Sequence, residues 1–257
     1  MTPKTLILRS AGTNCDAELA YAFQQAGAVT ETIHIAKLIE QPELIGRFDL
    51  IGFPGGFSYG DDIAAGRILA NRLKHRLLGP LQDAAKCGVP MIGICNGFQV
   101  LVKLGLLPFP EAAQQVVTLA DNTSGRFTCK WGPVVADSGS KCIWTQGLGD
   151  FEMPIAHGEG RFTGPAGLLD QLRSQGQIAL RYSPGSNPNG SENDIAGICD
   201  PSGVVFGLMP HPERYVTATQ HPRWTRMGGG FLSQAMPGLT IFQNAVSYIR
   251  EKVAAGV

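Results

Sequence analysis

The chain has 257 residues, 44% hydrophobic and 16% charged, an ordinary globular composition long enough to bury a substantial core. Lys+Arg and Asp+Glu both number 21, so the formal charge is zero and nothing favours a polyanionic partner such as nucleic acid or an anionic membrane. No apolar run is long enough to span a bilayer, and the opening MTPKTLILRSAG has too short an apolar core for a signal peptide, so a soluble cytoplasmic protein is expected.

In chain order, KTLILRS reads as a buried strand. Residues 15–25 read as a helix, with Asn14 as a possible cap and Gly27 as a stop. VTETIHI alternates like a strand, and FDLIGFPGG reads as a buried strand closed by a glycine turn. Residues 63–78 have a helical pattern. VPMIGIC is another strand, followed by a helix over 97–104. The second half is less regular: RFTCKWGPVVA and GQIALRYS suit antiparallel strands, and SPGSNPNGSEND is a loop rich in turn formers. GVVFGLMPHPE is a strand that breaks at a proline, and a helix over 238–253 ends the chain. Alternating strands and helices imply an α/β fold, an open, mainly parallel twisted sheet with helices on both faces and some antiparallel additions. With no repeat, low-complexity tract or clean linker, one domain over 1–257 is expected.

Six cysteines occupy positions 15, 87, 95, 129, 142 and 199. None forms C-x-x-C and no Cys/His cluster has zinc spacing, so no metal site is expected and each cysteine is by default a small buried hydrophobe. Cys95 is the exception. In MIGICNGFQVL it stands where a buried strand hands over to a helix, between Gly93 and Gly97. Ligands of open parallel sheets bind beyond the carboxyl ends of the strands. G-x-C-x-G there is analogous to the strand–nucleophile–helix elbow, with the Asn96 N–H at a developing oxyanion and a helix N-terminus that favours thiolate. Plain packing in a glycine-rich turn accounts for the pattern equally well.

A base decides between them. His34 falls in a predicted strand and His75 in a predicted helix. His211 follows the apolar run GVVFGLM, and Glu213, two residues on across Pro212, can turn back to one ring nitrogen. His157 and Glu159 repeat that spacing, so composition leaves two candidate His–Glu pairs. Gly55 and Gly56, after another strand end, can present backbone N–H groups to an oxyanion, or form a tight turn and nothing more.

PGGFSYGDD, GICNGFQVL, NTSGRFTCKW, PIAHGEGRF and MPHPERY together resemble the class I (triad-type) glutamine amidotransferases, with a flavodoxin-like sheet. Within them the resemblance is to the branch of glutaminase subunits of phosphoribosylformylglycinamidine synthase; TLILRSAGTNCDAE also fits, so it covers most of the chain. The resemblance implies Cys95 as nucleophile, His211 as base and acid, Glu213 as its orienter, and Gly56 and Asn96 as oxyanion donors. It further implies that Gln99 and Arg126 face the glutamine substrate. His157, Glu159 and Arg161 in AHGEGRF belong to the branch pattern, for pocket support or partner docking. Residues 214–238 look longer than a compact member needs; Arg223, Trp224, Arg226 and the triple glycine suit a lid or docking loop, or a tolerated insertion.

The chain contains neither G-x-x-x-x-G-K-[ST] nor G-x-G-x-x-G. No cofactor is therefore expected on this chain. The resemblance implies a large synthetase subunit that holds ATP and Mg and uses the ammonia in de novo purine synthesis, with a small third subunit bridging the two. Two other readings stay open: a subunit serving guanylate or carbamoyl phosphate synthesis, and a non-catalytic thiol-sensing domain on the same fold. A cysteine hydrolase of α/β-hydrolase type is disfavoured, because there the carboxylate precedes the histidine.

Overall fold

The computed structural model describes residues 1–256. The chain begins β1 (Lys4–Arg9), α1 (Asp16–Gln25), β2 (Val29–His34), α2 (Ile35–Glu40), β3 (Leu50–Phe53), α3 (Arg67–Lys74), α4 (Leu78–Lys86), β4 (Met91–Ile94) and α5 (Asn96–Leu104). It continues β5 (Thr118–Ala120), β6 (Thr128–Ala136), β7 (Asp150–His157), β8 (Arg161–Thr163), α6 (Ala166–Ser174), β9 (Ile178–Tyr182), β10 (Ile195–Cys199), β11 (Val205–Leu208) and α7 (Pro237–Ala254). Nine strands form one sheet in the order β2-β1-β3-β4-β11-β10-β9-β6-β7, and β5 pairs with β8 alone.

The strands β2, β1, β3, β4 and β11 run parallel; from β11 outward every pairing is antiparallel. Every residue of LIGF, MIGI and VFGL is buried, as a central parallel sheet covered on both faces demands. Phe23 meets Phe242 edge-on at 5.0 Å, which joins α1 to α7 over one face, while α3 packs with α5. Among the described residues no helix is long and apolar enough to cross a membrane.

Several expectations are corrected. Asn14 does not cap α1; its side-chain oxygen instead accepts from the Cys15 thiol at 3.1 Å. The helix expected over 63–78 is broken: residues 63–66 are irregular, Gly66 is left-handed at φ 72°, α3 spans Arg67–Lys74, and α4 follows as a separate helix. Gly79 and Pro80 are accommodated in the first turn of α4, where no intrahelical N–H bond is needed. VTETIHI ends one residue early, because the His34 Nδ1 accepts from Ala36 N and starts α2.

Residues 214–238 form short 3₁₀ turns around a second apolar cluster of Tyr215, Ala218, Phe231 and Met236, with Trp131 against it. The buried His221 packs edge-on to Trp131 and bonds Glu152 Oε2 at 3.1 Å, which Arg223 also pairs. Burial pushes the Glu152 carboxyl up, but His221 and Arg223 outweigh it and hold it below the usual range. This segment is docked on β6 and β7 rather than free.

Candidate active site

Three neighbouring strands deliver the central groups. The elements β3, β4 and β11 are adjacent and in register, Phe53 beside Gly93 and Ile94 beside Leu208. Their carboxyl ends therefore bring Gly56, Cys95 and His211 to one rim of the sheet, as open α/β sheets place their ligands.

At Cys95 the backbone turns with φ 51° and ψ −106°, outside the left-handed helical well and costly for a side-chain-bearing residue. The turn is held from both sides. Cys95 N donates to Leu208 O at 2.8 Å, and α5 starts at the next residue. A Cβ on Gly97 would lie 2.0 Å from Phe53 O, and one on Gly93 would lie 2.6 Å from Leu101 and 2.7 Å from Gly97 O. The G-x-C-x-G spacing is thus a packing requirement of an elbow that sets one largely buried thiol against the cavity. Plain turn packing does not explain a strained cysteine at the mouth of a cavity.

His211 lies three residues past β11, fixed by its N–H donating to Pro154 O at 2.8 Å. Its Nδ1 bonds Glu213 Oε1 at 2.6 Å, with both side chains buried. The other nitrogen, Nε2, is buried without a protein partner, while the Cys95 thiol is turned to Ala156 O at 3.5 Å. Burial opposes the imidazolium, but the Glu213 carboxylate and the nearby Cys15 and Cys95 sulfurs outweigh it, so His211 is held well above its ordinary value. A base with one nitrogen oriented by a carboxylate and the other open is suited to move a proton.

The rival pair does not form. His157 Nδ1 meets Asn122 Oδ1 at 3.1 Å, and Asn189 Nδ2 lies 3.5 Å from Nε2. Burial, with repulsion from His211, depresses His157 to about 4. Glu159 turns away and accepts from Ala65 N at 3.1 and 3.3 Å.

Gly56 has φ 136°, and a Cβ there would lie 2.8 Å from Asn14 N and Gly12 O. The bonds flanking it, Phe57 N to Gly12 O and Cys15 N to Gly55 O, tie this turn to the segment after β1. The Asn96 backbone N–H is in the first turn of α5, where helix geometry supplies no carbonyl for it. Its side chain points away from the cavity: Oδ1 accepts from Ser58 N, and Nδ2 donates to Asp61 and Gln99. Asp61 also accepts from Gly66 N, so Asp61 and Glu159 together hold residues 58–66 over α5.

One cavity of about 490 Å³ contains Cys95, His211, Gly56, Gln99 and Arg126, with His157 and Glu159 on the same wall. Glu213 stands behind His211. Arg161 is outside, donating from Nε to Asp121 O. Gln99 Nε2 donates to Glu159 O, so its amide helps build the wall.

A family model described as a CobB/CobQ-like glutamine amidotransferase domain matches residues 2–249. The chain is a member of this glutamine amidotransferase family. A relative from Dehalococcoides mccartyi, named phosphoribosylformylglycinamidine synthase subunit PurQ, is 47% identical over 253 residues, 96% of this chain and 98% of that one. A Methanococcus maripaludis protein of the same name is 39% identical over 270 residues, covering 98% and 99%. In the solved structure of PurLQS from Thermotoga maritima, one chain is 31% identical and superposes with a TM-score of 0.74, over 96% of this chain and 99% of that one.

For this amidotransferase, sequence reasoning missed Cys15. By default it is a buried hydrophobe, yet Cys15, at the N-cap of α1 beyond the end of β1, lines the same cavity. Its sulfur, a His211 ring nitrogen and a Glu213 oxygen lie within 4.8 Å of one another. Metal ligation does not suit that cluster: Arg214 Nη2 donates to the sulfur at 3.1 Å, and Glu213 Oε1 is taken by His211.

Proposed function

We propose that this chain is the glutaminase subunit of phosphoribosylformylglycinamidine synthase. It hydrolyses glutamine to glutamate and ammonia for a synthetase subunit that makes formylglycinamidine ribonucleotide in purine biosynthesis. The observation that carries the reading is the oriented His211, its free Nε2 in one cavity with the strained Cys95.

The reaction follows from these groups. The Cys95 thiolate attacks the side-chain amide carbon of glutamine, the C–S bond forms, and charge collects on the amide oxygen. The N–H groups of Gly56 and Asn96 hold that oxygen; each such donor is worth roughly 3 kcal/mol in the transition state. His211 gives its proton to the departing nitrogen, and ammonia leaves a γ-glutamyl thioester. His211 then takes a proton from water, the hydroxide cleaves the thioester, and Cys95 is restored. Glu213 keeps the ring oriented and supports its positive charge throughout. Gln99 and Arg126 line the cavity where the rest of the glutamine must sit, so both belong to substrate binding in this reading.

Free ammonia is protonated in neutral water and lost as a nucleophile. Transfer to a bound acceptor therefore needs a large synthetase subunit over this cavity, with a small third subunit consistent with the three-part PurLQS assembly. ATP and Mg belong to that synthetase, and the complex works in the cytoplasm. The test is ammonia and glutamate release by the chain alone and with its synthetase. Cys95→Ala is expected to abolish release in both, and release that survives this substitution would overturn the reading.

A further inference from the structure

Cys15 stands at the N-cap position of α1 yet caps nothing with its side chain. The sulfur is turned inward instead. Its thiol donates to Asn14 Oδ1 at 3.1 Å, and the sulfur accepts from Arg214 Nη2 at 3.1 Å. Arg214 is itself anchored by Nε to Glu18 Oε2 at 3.0 Å, one turn along α1. The Cys15 backbone N–H donates to Gly55 O at 3.3 Å, in the turn that presents Gly56.

Gly55 shows how closely this corner is packed. A Cβ there would sit 3.0 Å from His211 Cε1, 3.2 Å from Cys15 Sγ and 3.5 Å from Ile94 O. The imidazole, the second thiol and the oxyanion turn therefore share one tight stack. Burial pushes the Cys15 thiol up despite its His211 and Arg214 contacts, so it stays a neutral thiol and is not a second nucleophile. The mechanism above gives it no step.

We infer that Cys15 is a positioning residue for the reaction: its sulfur, clamped by Arg214 and Glu18, fixes the His211 ring so that Nε2 faces Cys95, and couples that ring to the Gly55–Gly56 turn. The inference rests on the glutaminase reading for its kinetic arm only. Glu213 restrains the ring at Nδ1, and the Cys15 sulfur beside the same buried ring adds a second restraint on its orientation. Misplacing a catalytic group by about an ångström costs up to roughly a hundredfold in rate.

The test has two arms on the assembled complex and the isolated chain. In the complex, Cys15→Ala is expected to lower kcat for glutamine hydrolysis at least tenfold while KM changes less than threefold. Cys15→Ser, which keeps a donor and acceptor, is expected to recover most of that loss. In the isolated chain labelled with ¹³C-histidine, the His211 ring, assigned by its loss in His211→Asn, is expected to titrate at lower pH in Cys15→Ala than in wild type. That arm needs no turnover, so it stands even where no glutaminase activity is found. A role in packing alone would lower the melting temperature without moving the titration. An unmoved titration with wild-type kcat overturns the inference. Should Cys15→Ala fail to fold, Glu18→Gln, which releases Arg214, is expected to shift both readouts the same way by a smaller amount, and no shift there is equally decisive against it.

Discussion

Two strand ends carry a histidine with a glutamate two residues on, and they behave oppositely. Past β11, His-Pro-Glu closes on itself: Pro212 fixes the backbone, and Glu213 meets His211 at 2.6 Å in a buried pocket. Past β7, His-Gly-Glu opens out. Gly160 leaves no room beyond His157, since a Cβ there would lie 2.3 Å from the ring, and two asparagines take the imidazole. The same spacing gives a charged base in one place and a neutral buried wall in the other. Spacing selects candidates; what faces each ring nitrogen decides the chemistry.

The comparison breaks most sharply by removing each ring. His211→Asn is expected to lower glutamine hydrolysis by about three orders of magnitude or more, whereas His157→Asn, which perturbs the wall only, costs less than about tenfold. A loss of a thousandfold at both positions, measured as kcat, would erase the distinction.

The second effect is on stability rather than rate. His157 is depressed from an ordinary value near 6.5 to about 4, first by burial and then by His211. Between those values the unfolded chain binds a proton that the folded one refuses. The associated stability is complete above about pH 6.5 and drains away as pH falls toward 4, by about 3 kcal/mol. Chemical denaturation from pH 7 to 4 is expected to show this slope in wild type and a shallower one in His157→Gln. Equal slopes would mean that His157 is not the group responsible.

The smallest effect concerns Glu159, which the structure uses to hold Ala65 N rather than His157. Glu159→Gln weakens a charge-assisted bond and is expected to cost about 1 kcal/mol of stability. It should raise KM for glutamine a few-fold by loosening residues 58–66, with kcat little changed. A large kcat loss with unchanged KM would instead place Glu159 at the reacting atoms.

How much of this the sequence carries varies by position. The parallel half was legible because LIGF, MIGI and VFGL are uninterrupted buried runs followed by turns, and each turn carries a residue of the site. The break near Gly66 was not, because Glu159 fixes Ala65 from 94 residues away, and no local pattern reports such a bond. The strand β7 was hidden by Pro154, which is tolerated because β7 is the last strand of the sheet. The choice of His211 over His157 came from resemblance; the physical reason, two asparagines on the rival ring, lies in the fold. Cys15 was not legible, because it lacks the flanking glycines of Cys95 and stands beyond the end of β1; only the fold turns its sulfur toward His211.

Three free cysteines, Cys15, Cys95 and Cys129, line one cavity, which makes a single measurement decisive for the catalytic assignment. An electrophilic glutamine analogue, reacted with the chain and located by peptide mass spectrometry, is expected to modify Cys95 once per chain, to spare Cys15, and to lose that reactivity in His211→Asn. Label on Cys15, or label on Cys95 that forms as fast without the His211 imidazole, would contradict the account.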